Sequence, residues 1–420
     1  MRLLGRFSAF SRAFRHRNYR LYTMGNALST IGLWMQRVGV GWLAWELTGS
    51  ATWLGLIAFA DMFPTVVISP IAGTVTDRID RLRLLRSTQA LLGLQAVTLA
   101  VLIYLDHMSI AWLLGLTVVR GIVLAFNQPA RLSLISTLVG REDVAPAIAI
   151  NAMIFNMARF IGPAAAGFLI VGGDTSVLFI VTALCFLSMS VAASLVRLDQ
   201  PDRLSGKGGL LQQTVEGYVY AAGHAGIGPL MLVLSMTAFG ARSFIELMPG
   251  IADVVFGRGA DGLAALLAVM GVGAIVGGAW LAQRPGLEGL TRVVAGNLLL
   301  IAVILGVFAA SGNYAVGLGA VFFLGFAITI NGAGIQTLIQ SSVEPSVRGR
   351  VLGLYGLIVR GAPSVGALVM GAFAERVGFA IPMLCGAAIC VAAWMLASSR
   401  RQTMSRALET GPAGSPNAGD

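Results

Sequence analysis

The amino-acid sequence predicts an all-α integral membrane protein, with twelve transmembrane helices in two pseudo-symmetric six-helix bundles. Three observations support this class. Of 420 residues, 56% are hydrophobic and only 11% are charged, and the mean hydropathy of +0.81 indicates a chain that faces lipid. The apolar residues form long runs, and each crossing needs about 20 of them. A polar stretch near the middle separates six runs from six others.

The apolar runs predict the helices in chain order. They lie at 19–46, 52–74, 84–105, 110–139, 144–171, 174–197, 228–251, 262–283, 291–311, 314–342, 349–373 and 379–398. Arginines collect in alternate loops, for example at Arg83, Arg141, Arg284 and Arg348. Because basic loops stay on the cytoplasmic side, we expect both termini there, in a multi-pass protein of the bacterial inner membrane.

The predicted organisation has five segments. They are a cytoplasmic N-terminal segment at 1–18, a bundle at 19–198, a cytoplasmic linker at 199–227, a second bundle at 228–398 and a disordered cytoplasmic tail at 399–420. Within the linker, residues 210–222 have the pattern of an amphipathic surface helix. The tail is polar and rich in small residues, which favours disorder. The N-terminal segment lacks the apolar core of a cleavable signal peptide.

The two halves repeat weakly. Residues 127–139 align with residues 331–343, and the segment 159–163 aligns with 360–363. Chance similarity between apolar helices is the alternative explanation. Together with the divided hydropathy, the repeat favours two related bundles around a central path.

Ionisable residues within apolar runs indicate function, because a charge there costs on the order of 3 kcal/mol or more. We name the predicted substrate and proton pathway the pathway residues: Arg37, Asp61, Arg120, Asn127, Arg159, Arg242, Glu246 and Arg360. Arginines outnumber carboxylates in this set, which favours an anionic or acceptor-rich substrate. Asp61 is the predicted proton carrier, because a buried carboxyl can exchange a proton when its surroundings change.

Each of these residues also has a structural interpretation. Arg242 and Glu246 are four residues apart and can neutralise one another on one helix face. Arg37 and Arg120 can extend to the membrane surface. Asp61 can be a fixed partner of a neighbouring arginine. These alternatives remain open from the sequence.

A basic loop joins the second and third apolar runs. It reads Gly73-Thr-Val-Thr-Asp77-Arg78-Ile-Asp80-Arg81, and its G-x-x-x-D-R-x-x-R spacing resembles the signature loop of the major facilitator superfamily. An ordinary arginine-rich loop is the alternative. The resemblance implies that Gly73, Asp77, Arg78 and Arg81 form a conformational latch. Asp80 stands where the superfamily commonly has glycine, so the turn of this loop is expected to differ in geometry from that of the superfamily.

The fifth predicted helix carries a row of small residues. Gly162, Pro163 and Gly167 resemble the fifth-helix motif of superfamily antiporters, although Ala158 and Ala166 replace two expected glycines. Small residues on one face allow close helix packing.

Further segments, at 31–36, 46–50 and 159–163, resemble the bacterial transmembrane secretion effector branch, to which the enterobactin exporter belongs. The resemblance covers nearly the whole chain except the tail. It implies the major facilitator fold and a secondary transporter that exports a small molecule in exchange for protons.

Other function classes are disfavoured. The sequence has no motif for an enzyme, a nucleotide or a metal, and its three cysteines lie inside apolar runs. We therefore expect no enzyme activity, cofactor or nucleic-acid partner, and a monomer whose partners are a small-molecule substrate, protons and the bilayer. Proton-coupled efflux of a drug-like, siderophore-like or organic anionic molecule is the preferred function. A proton-coupled importer and a membrane scaffold or sensor are the alternatives.

Overall fold

The structure is a computed structural model that describes residues 12–198, 210–284 and 286–409. Its first helices are α1 (Arg17–Thr48), α2 (Ala51–Arg78), α3 (Arg81–Tyr104), α4 (Ile110–Leu138), α5 (Val144–Val171) and α6 (Thr175–Leu195). They are followed by α7 (Leu210–Gly223), α8 (Ile227–Ala241), α9 (Gly259–Ala282), α10 (Leu290–Ala310), α11 (Tyr314–Ser342), α12 (Pro345–Val377), α13 (Ala380–Ser399) and α14 (Arg401–Glu409).

Over the described ranges, eleven helical stretches are long and apolar enough to cross a membrane. The predicted first crossing, α1, has 32 residues but carries Asn26, Gln36 and Arg37 within its apolar run, which lowers its hydropathy. With α1 included, the helical segments match the twelve predicted runs. The predicted all-α class and multi-pass architecture are confirmed.

The chain divides into two compact units, one of residues 1–48 and 64–207 and the other of residues 49–63 and 208–420. The first half of α2 therefore belongs with the C-terminal helices, whereas the predicted bundle at 19–198 contained all of it. Glycines explain the difference: Gly55 approaches the backbone of Ala367, and Gly371 approaches that of Ala51. Without Cβ atoms, the two helices meet at backbone distance.

Within the first unit, α1 packs against α5 and α6, and α3 packs against α4 and α6. Gly25, Gly32 and Gly39 recur every seven residues along α1. A Cβ at any of them would collide with α6, at Met189 and Ala192, Cys185 or Leu178 respectively. These glycines bring α6 against one face of α1 and leave its other faces for α4 and α5.

Within the second unit, α9 packs closely along α11. Gly273 and Gly277 on α9 lie against the backbone of Phe322 and Phe326, and Gly325 on α11 lies against Met270. This reciprocal contact shows that these glycines serve helix packing.

The seventh predicted helix, 228–251, is not continuous. α8 ends at Ala241, and a 3-10 turn (Ser243–Leu247), a short α-turn (Met248–Gly250) and a π-turn (Ile251–Val255) follow it. The Ser243 hydroxyl donates to the carbonyl of Phe239 at 2.7 Å and lies 3.1 Å from that of Pro363. Pro249 has no N–H, and its ring displaces the carbonyl four residues earlier. Both features break the regular α-helical ladder.

The predicted disorder of the tail is wrong for residues 401–409, which form α14. Met404 and Leu408 are buried on one face of this helix. The Glu409 carboxylate accepts hydrogen bonds from the backbone N–H groups of Gly289 at 3.0 Å and Thr291 at 2.8 Å. Two apolar residues and one carboxylate dock the helix. So few residues do not change the polar composition of the tail, on which the prediction of disorder was based. Residues 410–420 lie outside the described part of the chain.

The linker contains the expected helix, α7, at Leu210–Gly223. The remainder of the predicted linker at 199–209 lies outside the described residues, as does the N-terminal segment before residue 12.

Candidate functional site

A network of neutral oxygens holds Arg120 inside the first unit. Arg120 is 2% exposed. Its Nε donates to Gln36 Oε1 at 3.1 Å, and its Nη2 donates to the carbonyl of Leu33 at 3.1 Å. The Gln36 amide then donates to Gln95 Oε1 at 2.6 Å. Arg120 therefore points into the helix packing, and the alternative that it extends to the membrane surface is wrong.

Arg131, one of the residues outside the predicted pathway, is also buried, at 7% exposure. Its Nη1 donates to Thr30 Oγ1 at 3.0 Å, and its Nη2 donates to Ser29 Oγ at 2.8 Å. The Tyr22 hydroxyl donates to the Arg131 carbonyl at 2.9 Å. Among the described residues, this guanidinium forms no ion pair.

The helical period could have identified Arg131. It lies 11 residues after Arg120, and at about 100° per residue this separation leaves the two side chains only about 20° apart around the helix. Because Arg131 lies on the same face of α4 as Arg120, the helical period predicts that the Arg131 side chain also contacts α1. The pathway residues do not include it, although it lies within the predicted helix at 110–139.

Arg37 and Arg159 meet at Trp34. The guanidinium of Arg37 lies 5.6 Å from the centre of the indole ring, and that of Arg159 lies 5.5 Å from it. Phe155 contacts the same ring edge-on, with ring centres 5.9 Å apart. The arrangement places two cations and two aromatic rings at one point. Arg37 and Arg159 are thus two pathway residues that the fold brings together.

Gly162 makes this meeting possible. A Cβ at Gly162 would lie 2.6 Å from Trp34 Cβ and 2.9 Å from the carbonyl of Ile31. Pro163 follows within α5, and it removes the N–H that would bond the carbonyl of Arg159 in a regular helix. Gly162, Pro163 and Gly167 are buried, which agrees with close packing of α5 against its neighbours within the first unit.

Amide side chains form hydrogen bonds between helices of the first unit. Asn26 donates to Asn151 Oδ1 at 2.9 Å, and Asn127 donates to Thr88 Oγ1 at 2.8 Å. The bond of Asn127 joins α4 to α3. We name the α1 polar face by its residues Asn26, Ser29, Thr30, Trp34 and Gln36.

Several buried atoms at or beside the α1 polar face have no hydrogen-bond partner among the described residues. They are Asn26 Oδ1, Trp34 Nε1, Gln89 Nε2 and Arg131 Nε. Three of the four are donors. Since buried polar atoms are usually satisfied, each of these atoms lacks the partner that a buried polar group normally has.

The other pathway residues belong to the second unit. Asp61 is 9% exposed on α2. Arg242 follows the last residue of α8, and Glu246 lies in the 3-10 turn. The two residues therefore do not lie on one regular α-helix, contrary to the prediction from the sequence. Arg360 is exposed on α12, and its Nη1 donates to the carbonyl of Gly356 at 3.5 Å.

The predicted latch lies where α2 ends and α3 begins. Gly73, Asp77 and Arg78 belong to α2, and their side chains lie outside the described part of the structure. Asp80 accepts a hydrogen bond from the backbone N–H of Arg83 at 2.7 Å and caps α3, which begins at Arg81. Asparagine and aspartate are favoured at this position, so the capping role explains the departure from glycine.

Comparisons with known proteins agree with this architecture. Residues 7–413 match the family model described as transmembrane secretion effector. The staphyloferrin A transporter of Staphylococcus aureus is 29% identical over 157 residues, which are 37% of this chain and 40% of that protein. Macrolide efflux protein A of Streptococcus pyogenes is 21% identical over 374 residues, which are 87% of this chain and 92% of that protein.

Solved structures share the fold. A bacterial homologue of the human lysosomal transporter Spinster, in an inward-facing and occupied conformation, has a TM-score of 0.73 and 15% identity over 94% of this chain and 98% of its own. A point mutant of the nucleoside transporter NupG has a TM-score of 0.71 and 9% identity, over 91% of this chain and 100% of its own. This chain belongs to the transmembrane secretion effector family of the major facilitator superfamily and is a multi-pass membrane transporter, not an enzyme.

Proposed function

We propose that this protein is a proton-coupled exporter of a small anionic or acceptor-rich molecule. The observation that carries the proposal is the buried guanidinium of Arg131, held by the hydroxyl oxygens of Ser29 and Thr30. These neutral oxygens accept its hydrogen bonds without cancelling its charge. A buried positive charge favours an anion, and the interaction is stronger there than in water.

The unpartnered donors narrow the substrate class. Trp34 Nε1, Gln89 Nε2 and Arg131 Nε are buried without a partner among the described residues. A substrate with carboxylate, phenolate or carbonyl oxygens would satisfy them. The names of two relatives, a staphyloferrin A transporter and a macrolide efflux protein, support a choice between siderophore-like and drug-like molecules.

Asp61 is the proposed proton carrier. It is a carboxyl group at 9% exposure within α2, and α2 contributes residues to both compact units. A change in its protonation would shift the relative stability of the two states of an alternating-access cycle. In this mechanism, Gly73, Asp77, Arg78 and Arg81 latch one of these states. The transporter works as a monomer in the bacterial inner membrane, with both termini in the cytoplasm.

Everted membrane vesicles with an acidified lumen test the proposal. Macrolides, siderophores and organic acids are added one at a time while lumenal pH is recorded. We expect one compound to release protons from wild-type vesicles and to release none in Asp61→Asn. The matched control is Asp106→Asn, in an exposed turn with φ of 56°, which asparagine adopts readily.

Proton release that persists in Asp61→Asn would show that Asp61 does not take part in proton coupling. Substrate-driven proton movement of the opposite sign would identify proton-coupled import instead. The absence of flux with every compound, together with intact expression, would favour the scaffold or sensor alternative.

A further inference from the structure

A cavity of about 600 Å³ lies in the second unit between α9, α10 and α11. Its polar lining includes Arg284, Arg292 and Asn297, and its aromatic lining includes Trp280 and Phe326. We name it the Arg284/Arg292 groove. None of its lining residues is a pathway residue, so it is a separate feature of the transporter.

The groove changes character with depth. Arg284 follows α9, and Arg292 lies in the first turn of α10, so both mark the end of the groove at the loop. Leu300 also lines it, eight residues further along α10 and therefore about 12 Å deeper. Trp280 is 42% exposed and Leu300 is 40% exposed, so the apolar part of the groove is accessible from the side of the helices. A basic end and an apolar side suit a molecule that has an anionic head and a hydrocarbon chain.

The described carboxylates do not pair with the arginines of the groove. Among the described residues, neither Arg284 nor Arg292 forms an ion pair. Arg284 lies 5.7 Å from the centre of the Trp280 ring and donates to the backbone carbonyl of Glu288 at 3.3 Å. The Glu288 side chain is exposed and does not line the groove.

Glu409 occupies the start of α10 instead of neutralising the arginines. Its two oxygens accept hydrogen bonds from the N–H groups of Gly289 and Thr291, and the Ser405 hydroxyl donates to it at 2.9 Å. The helix N-terminus therefore already has a carboxylate. An anion in the groove would be held by the two guanidinium groups.

We propose that the Arg284/Arg292 groove binds an anionic phospholipid of the phosphatidylglycerol class. Arg284 and Arg292 hold the phosphodiester through charge-assisted hydrogen bonds. Trp280 lies at the headgroup level, as tryptophans do at membrane interfaces, and an acyl chain runs past Phe326 and Leu300. Basic pockets between transmembrane helices recognise anionic headgroups by this chemistry. A soluble phosphate shares the headgroup chemistry but makes no use of the apolar side.

Native mass spectrometry of the full-length protein in detergent tests the site. Delipidated protein is mixed with phosphatidylglycerol or with phosphatidylcholine of the same chains, and bound lipids are counted. We expect wild-type protein to retain phosphatidylglycerol preferentially. Arg284→Gln with Arg292→Gln should lose this preference, by on the order of fivefold for each arginine removed. The control Arg20→Gln with Arg141→Gln removes two exposed arginines of the first unit and should retain it.

Four results would overturn the proposal. Equal retention of the two lipids by wild-type protein would exclude headgroup recognition. If the control variant lost the phosphatidylglycerol preference as strongly as the glutamine variant of the groove, the preference would come from general surface charge. Displacement of the lipid by glycerol phosphate at the same concentration would identify a small-phosphate site. Arg284→Lys with Arg292→Lys keeps both charges, and its thermal unfolding checks the fold. A correctly folded lysine variant that loses lipid as completely as the glutamine variant would also contradict the electrostatic basis.

Discussion

Arg120 and Arg131 lie on the same face of α4, and both guanidinium groups donate to α1. Arg120 contacts Gln36 and the carbonyl of Leu33, and Arg131 contacts Thr30 and Ser29. Three helical turns separate the two contacts, so a row of buried positive charge runs along the α1 polar face. In the proposed mechanism, this row favours negative or acceptor-rich ligands.

Arg131→Gln should reduce transport of an anionic substrate by about tenfold or more, because hydrogen bonds to charged groups contribute about 1.5–3 kcal/mol. The comparison is the initial rate of substrate entry into everted vesicles, normalised to the amount of protein. Arg141→Gln is the control, since that arginine is exposed in the turn between α4 and α5. A normal rate in Arg131→Gln would exclude this guanidinium from substrate binding.

Gly162→Ala should destabilise the protein by about 1–3 kcal/mol, the usual range for overpacking. The added Cβ would meet Trp34 Cβ at 2.6 Å and the carbonyl of Ile31 at 2.9 Å. Thermal unfolding in detergent measures the change. Gly115→Ala is the matched control, because that glycine lies in helix α4 with no atom near its added Cβ, where alanine is the better helix former. Equal melting temperatures for the two variants would contradict the close contact between α1 and α5.

Docking of α14 should weaken in acid. Burial alone would raise the pKa of the Glu409 carboxyl, but hydrogen bonds from Thr291, Gly289 and Ser405 outweigh it and hold the pKa below its ordinary value. A depressed pKa contributes stability above the ordinary carboxyl value, and this stability is lost as pH falls through the folded-state pKa. Limited proteolysis of 401–409 between pH 7 and pH 3 should show increasing cleavage.

Glu409→Gln is the comparison for that pH profile. Its protection should be weaker at neutral pH and should change less between pH 7 and pH 3. A profile as steep as that of the wild-type protein would assign the acid sensitivity to another group.

Hydropathy and arginine placement predict most of the fold because lipid imposes long apolar runs and basic loops. They do not predict where a helix loses its regular ladder. Ser243 interrupts the seventh run through a local hydrogen bond, and Pro249 interrupts it through its missing N–H. A hydropathy window detects neither effect. The docking of α14 depends on Glu409 meeting a helix start more than 100 residues earlier in the chain, at Gly289.

The site was predicted in part. A charge inside an apolar run marked Arg120, which the structure buries, and it marked Arg37 and Arg159, which meet at Trp34. Arg131 was not among the predicted pathway residues, because it lies near the end of the predicted fourth helix. Its burial depends on the hydroxyls of Ser29 and Thr30, and only the register of α1 against α4 brings them to it.

Ligand binding to purified protein tests the central claim most directly. An aromatic carboxylate and its uncharged amide are compared by their effect on thermal unfolding of the wild-type protein and of Arg131→Gln. The account predicts that the carboxylate raises the melting temperature of the wild-type protein more than the amide does, and that Arg131→Gln abolishes the difference. Equal effects of the two compounds on the wild-type protein, or a difference that persists in Arg131→Gln, would contradict a binding face built on buried positive charge.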